Sequence, residues 1–408
     1  MVPQQGTKTL TVLVLAGTGS KYEKKEISGI SHLLEHMLFK GTEKRPNQLA
    51  ISEPLDAVGG IYNAFTGEEY TGYWAKVDSK HLDLALDVIF DIYLNSKLNE
   101  NDLEKEKGVV IEEINMYYDH PSSYVQTIWE KLLYGDQPAG WGIIGSKETV
   151  SLISQKQLAD YKKSQYVSSN TIVCLAGDIE QSPKTINKIS DYFSKIESKS
   201  PFLKQKVKES QKTPDCLIQE RKTDQTHFCL GVRAYDLFNP KKYGLEVMSA
   251  ILGGMMSSRL FIKIREELGM AYYIHTVSSL FTDSGYLVTQ AGVDSSRLEK
   301  AIFVVLEEYK NISEKKVPEK ELKKAKDNLI GKMNLQMESS DAQASFYGMQ
   351  EVLEKNIITP KEIQEKISKV SANDVLKIAK EIFRPENLNL ALIGPFNDKD
   401  RFVKLLKI

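Results

Sequence analysis

The 408-residue chain has three cysteines, Cys174, Cys216 and Cys229, scattered along its length. So few and so dispersed, they exclude a disulfide framework and match no zinc-ribbon spacing, and a reducing cytoplasm is the expected compartment. None sits near a convincing base, which argues against a thiol mechanism. No stretch is long and apolar enough to span a bilayer. The opening run, MVPQQGTKTLTVLVLAGTGS, lacks a basic leader and is rich in β-branched residues, so it predicts a strand rather than a signal peptide. An excess of either charge is missing too: 54 Lys and Arg face 55 Asp and Glu, for a net charge of −1. Bulk charge therefore supplies no grip on nucleic acid or on a membrane surface. Histidine is scarce, with six in all.

Two of those six are placed one helical turn apart, in SGISHLLEHMLFK, Ser28 to Lys40. On a helix, His32, Glu35 and His36 fall within about a 100° arc. Ile30, Leu33, Leu34, Met37 and Leu38 cover the opposite side. Ser28 is the expected N-cap and Gly41 the expected C-terminal stop. Two imidazoles at i and i+4 can grip one Zn²⁺, and a carboxylate beside them can take a proton from a bound water. The spacing is the inverted zinc-protease motif, His-x-x-Glu-His. The other histidines, His81, His120, His227 and His275, have no ligand spacing and read as structural.

The length implies two domains or more, and 41% hydrophobic with 27% charged residues is ordinary for a globular protein. Thr9 to Gly17 predicts a first strand, Leu49 to Val58 a helix, and Ile61 to Lys76 a strand pair turning at Gly67. Leu82, Ala85, Leu86, Ile89, Phe90 and Tyr93 then mark an amphipathic helix. Adding 216 to these numbers gives Leu298, Ala301, Ile302, Val305, Leu306 and Tyr309, and Val-Asp-Ser introduces both copies. Ser154 to Ile179 repeats as Ser371 to Phe396 at an offset of 217. A repeat of half the chain means two similar domains rather than a solenoid. The expected organisation is α+β: a first domain at 1–196, a polar Lys-rich linker at 197–215, and a second domain at 216–408. Each is expected to be a sheet covered by helices on one side. The second copy lacks the histidine motif, its matching helix being expected within Gly253 to Gly269.

A third metal ligand must come from elsewhere. The segment from Asn101 past Ile114 predicts one helix, with Glu106 and Glu113 on one face, while Glu104 and Glu112 project into solvent. In the second copy the two positions become Ala325 and Lys332, so the acidic face exists only beside the histidines. Gly108 in mid-helix suggests a close approach to the His32 helix.

With these residues in place, nearly the whole chain resembles the pitrilysin-type (M16) metallopeptidases, the inverzincin family that includes mitochondrial processing peptidase and insulin-degrading enzyme. The family pattern sets a zinc-binding Glu after 76 intervening residues, which falls on Glu113, and a supporting Glu seven residues earlier, which falls on Glu106. The resemblance also implies an Arg and Tyr pair at Arg265 and Tyr272, holding substrate and stabilising an oxyanion. Without it, Arg265 reads as a solvated helix residue and Tyr272 as a core aromatic. Tyr62 to Thr66 resembles the family strand that pairs with extended substrate, implicating Asn63, Ala64 and Phe65; an ordinary hairpin is the other reading.

The expected function is that of a zinc-dependent endopeptidase or oligopeptidase acting on peptides or unfolded segments in an enclosed cleft. His32, His36 and Glu113 would bind Zn²⁺ and Glu35 would serve as general base. The alternative is a non-catalytic or processing-partner subunit. Because the chain carries both the zinc set and the Arg/Tyr pair, a homodimer with complementary sites is expected, a heterodimer with a zinc-less subunit being the other possibility.

Overall fold

The computed structural model describes residues 1–408. The chain forms two compact units of the same α+β design. The first sheet contains β1 (Val2–Pro3), β2 (Thr9–Ala16), β3 (Ile61–Thr66), β4 (Thr71–Asp78) and β5 (Thr171–Gly177) in the order β1-β5-β2-β4-β3. The second contains β6 (Asp215–Glu220), β7 (Thr226–Arg233), β8 (Ala271–Leu280), β9 (Gly285–Val293) and β10 (Leu388–Gly394) in the order β6-β10-β7-β9-β8. In both, one parallel edge pair, β1/β5 or β6/β10, joins an otherwise antiparallel sheet.

The helices repeat as well. In the first unit α1 (Ile30–Leu38), α2 (Gln48–Asp56) and α3 (Leu82–Asn95) precede α4 (Glu100–Asp119). The apolar stripe of α3 is buried from Ala85 to Tyr93, and its copy on helix Leu298–Glu314 is buried throughout. Each stripe is introduced by an aspartate that caps the turn before it: Asp78 accepts from Lys80 N–H and Asp294 from Ser296 N–H. Ser154 and Ser371 open the helices Gln155–Gln165 and Ala372–Ile382 with matching capping boxes.

Both sheets are covered on two faces, not one as expected. Helix Ser340–Leu353 belongs to the first unit, where Ala344 and Val352 pack on Leu13, Leu15, Cys174 and Ala176. Reciprocally, α5 (Pro121–Tyr134) belongs to the second unit, with Val125 and Trp129 against Tyr286, Val288, Ala391 and Ile393. The compact units are therefore 1–115, 141–205 and 335–357 for the first, and 116–140, 206–334 and 358–408 for the second. This segmentation differs from contiguous halves at 1–196 and 216–408, because each half of the sequence lends one helix to the other unit. The unbroken apolar run of β2, TLTVLVLA, buries side chains of both parities for this reason.

The helix matching α1 in the second unit is Lys242–Leu252, a correction to the expected Gly253 to Gly269. It packs on β8 and on Ala372–Ile382, as α1 packs on β3 and on Gln155–Gln165. Residues Phe261–Glu267 instead form a π-helical segment. The three cysteines are buried and free. No helix is long and apolar enough to cross a membrane.

Candidate metal centre and substrate edge

Helix α1 starts differently from the sequence expectation. Its N-cap is Gly29, at φ 95°, rather than Ser28. A side chain there would strain the backbone and put a Cβ 2.7 Å from the Ile144 carbonyl oxygen. The free N–H groups are satisfied from a distance by buried Glu23, whose oxygens accept from Gly29 N–H at 2.6 Å and Ser31 N–H at 2.8 Å. At the other end the C-cap is Phe39, so the helix stops two residues before the expected Gly41.

Burial pushes the Glu23 carboxyl up to about 7, against the hydrogen bonds from Ser31 and Gly29. A folded pKa above the unfolded one stabilises the fold fully below the unfolded value of about 4.5, and that stability disappears as pH rises through about 7. In zinc-free protein, wild type should therefore lose stability relative to Glu23→Gln between pH 5 and 7.5, by on the order of 3 kcal/mol at most. Denaturant midpoints at the two pH values check this. A wild-type advantage over Glu23→Gln that grows with pH would show that the helix N-terminus holds the carboxylate ionised instead.

Helices α1 and α4 face each other across the first unit and bring together residues far apart in sequence. Nε2 of His32 and Nε2 of His36 each lie 3.6 Å from Oε2 of Glu113. One donor atom from each residue lies within 4.8 Å of the other two. Bonds of about 2.1 Å in tetrahedral array place ligand atoms about 3.4 Å apart, close to the two 3.6 Å separations, so the donor set suits a zinc ion. Burial, reinforced by the neighbouring His36, pushes His32 down to about 3, leaving the neutral imidazole that metal binding requires. His32 Nδ1 is itself buried without a hydrogen-bond partner.

Behind His36 stands Glu106. Its Oε2 accepts from His36 Nδ1 at 3.1 Å, and its Oε1 lies 2.7 Å from Lys40 Nζ. Burial would raise the Glu106 carboxyl, but these bonds and charges outweigh it and hold the group below the usual carboxylate range. The pair fixes the imidazole's tautomer and orientation. Glu35 sits one residue before His36 and accepts from Thr66 Oγ1 at 2.5 Å. Burial raises the Glu35 carboxyl above its ordinary value despite that bond. Glu104 and Glu112 are exposed, as expected. Gly108 faces open space, so no close helix approach explains it.

Asn63, Ala64 and Phe65 lie on β3, the edge strand of the first sheet, paired only with β4. Arg265 and Tyr272 lie in the second unit. The Arg265 guanidinium sits 5.5 Å from the Tyr272 ring centroid and 4.8 Å from that of Phe261. Tyr272 is 78% exposed, which overturns its reading as a core aromatic. The cause is a register shift between Ala271 and Tyr273 that leaves Tyr272 as the extra residue of edge strand β8, turned outward. Both residues line a cavity of about 750 Å³ together with Arg297 and Asp294.

Sequence reasoning missed Glu23, Lys40 and Thr66. Of these only Thr66 carried a signal, because it shares its strand face with Tyr62 and Ala64.

An inverted histidine helix beside a distant glutamate, on one copy of a duplicated sheet, is the arrangement of the inverzincin class of metallopeptidases. The chain belongs to peptidase family M16: residues 2–147 match the family model described as Insulinase (Peptidase family M16), and residues 153–329 match the Peptidase M16 inactive domain. It is 35% identical to an uncharacterized zinc protease, YmxG, of Bacillus subtilis, over 95% of this chain and 93% of that protein. An uncharacterized zinc protease of Rickettsia felis is 32% identical, with 95% and 92% covered. Among solved structures, a protease from Helicobacter pylori shares the fold with a TM-score of 0.89 at 22% identity, covering 97% of this chain and 96% of that one.

Proposed function

We propose that the protein is a zinc-dependent endopeptidase or oligopeptidase that hydrolyses peptides and unfolded segments within an enclosed cleft. Membership of family M16 and the names of the relatives support zinc and peptide-bond hydrolysis. The observation that carries the site assignment is the convergence of His32, His36 and Glu113 with Glu35 at their side. When bound, zinc supplies Lewis-acid polarisation of a carbonyl and a lowered pKa for water. Glu35 takes the proton of the attacking water and returns it to the leaving amine. Its raised pKa brings the carboxyl closer to working pH, which suits a group that must both accept and release a proton. The free edge of β3 holds extended substrate by main-chain hydrogen bonds along Asn63, Ala64 and Phe65.

In this reading Arg265 and Tyr272 act from a partner subunit of a homodimer, the guanidinium holding substrate and the Tyr hydroxyl stabilising the oxyanion. The outward, bulged placement of Tyr272 on an edge strand supports that role. Free cysteines suit a reducing compartment such as the cytoplasm.

The test is hydrolysis of a quenched-peptide library by purified protein, with sedimentation of the same sample. Cleavage should stop on chelation and return with zinc, and the active species should sediment as a dimer. Absence of cleavage in zinc-loaded dimer would reject the peptidase reading, and activity in a monomer would reject the shared site.

A further inference from the structure

We propose that Thr66 is a positioning residue for Glu35, fixing the carboxylate and tying it to the edge strand that holds the peptide. The proposal rests on the reading of Glu35 as the general base. Thr66 ends β3, and its backbone pairs with Thr71 of β4. Thr71 is itself buried and anchored by a hydrogen bond from its hydroxyl to the Thr18 carbonyl at 2.9 Å. Strand alternation puts Tyr62, Ala64 and Thr66 on the α1 side, where Tyr62 and Ala64 pack on the core that includes Ile30, Leu33 and Leu34. Phe65 faces the opposite core. A β-branched side chain on a paired strand has little χ1 freedom, so the hydroxyl is presented at a fixed place. It meets Glu35 Oε2 at 2.5 Å.

Glutamate has three side-chain torsions and loses much rotamer freedom when held in one pose. A strong hydrogen bond to a rigid strand selects the pose in advance. The hydroxyl also suits both states of the base, donating to the carboxylate and accepting from the carboxylic acid once the water's proton has moved. Because Thr66 follows Asn63, Ala64 and Phe65 on one strand, a peptide lying along β3 is placed in register with the base by the same element.

Thr66→Val keeps the shape and removes the hydroxyl, whereas Thr66→Ser keeps the hydroxyl. With zinc-loaded protein and a quenched peptide, Thr66→Val should lower kcat by about 10- to 100-fold, leaving KM and zinc content within about twofold of wild type. Thr66→Ser should stay within about threefold of wild-type kcat. Adding Thr66→Val to Glu35→Gln should cost no further turnover, because no base remains for Thr66 to position. Wild-type kcat in Thr66→Val, equal loss in the Ser and Val variants, or loss confined to KM or zinc content would overturn the proposal. If Glu35→Gln alone keeps full turnover, the base assignment fails and takes the proposal with it. If Glu35→Gln is inactive and Thr66→Val is normal, only the proposal fails.

Discussion

Glu35→Gln should retain its zinc and lose peptide turnover by about three orders of magnitude. Glutamine keeps the size of the side chain and one oxygen that can accept from Thr66, so α1 and the ligand atoms of His32 and His36 stay in place. What goes is the ability to accept a proton. The attacking water must then lose its proton to bulk solvent, and the leaving amine must find one there. Metal analysis of the purified variant, run beside its kcat, separates chemistry from assembly. Full activity would sink the assignment of Glu35 as base; loss of zinc would show that the carboxylate supports the metal instead.

Zinc affinity should divide Glu113 from Glu106, although both lie on one face of α4. Glu113 offers an oxygen 3.6 Å from each imidazole nitrogen, so Glu113→Ala would remove one of the three proposed donors and should leave the protein metal-free after gel filtration. In the proposed site Glu106 would reach the metal only through its bond to His36, and Glu106→Gln should weaken binding by about 10- to 100-fold. Unfolding temperature gives a second readout. Free zinc at a thousand times its Kd stabilises a folded protein by about 4 kcal/mol, a gain that Glu113→Ala should abolish and Glu106→Gln should shift to higher zinc. Retention of zinc by Glu113→Ala would remove it from the ligand set, and a larger loss in Glu106→Gln would exchange the two roles.

The duplicated α+β design and the pairing of His32 with His36 were legible because they rest on periodicity, which also put Glu106 and Glu113 on one helix face; the choice of Glu113 came from the family resemblance. A turn of 3.6 residues aligns His32 with His36, and the offset of 216 to 219 shows where the second copy lacks them. Glu23 was not legible: it caps α1 across a loop, and no local pattern links a glutamate to N–H groups six and eight residues on. Tyr272 misled because a bulge reverses the side of the sheet that a simple alternation assigns to it. Covering of both sheet faces was not expected, although the apolar run of β2 carried its signal: Val12 and Val14 are buried on one face and Leu13 and Leu15 on the other. The identity of the covering helix was not, because it lies more than 300 residues downstream.

That exchanged helix orders events during synthesis. The ribosome releases β2, β4 and β5 long before helix Ser340–Leu353 exists. Until then Leu13, Leu15, Cys174 and Ala176 form an uncovered apolar face on a nascent sheet. The unit that carries the histidines therefore cannot close as it emerges, and must wait until Leu353 has been translated. Contacts of such sequence separation slow folding and leave strand surface open to wrong partners until that helix arrives. For the same reason, a nascent chain stalled before Ser340 holds all of His32, His36 and Glu113 yet lacks the packing that would make them a stable site.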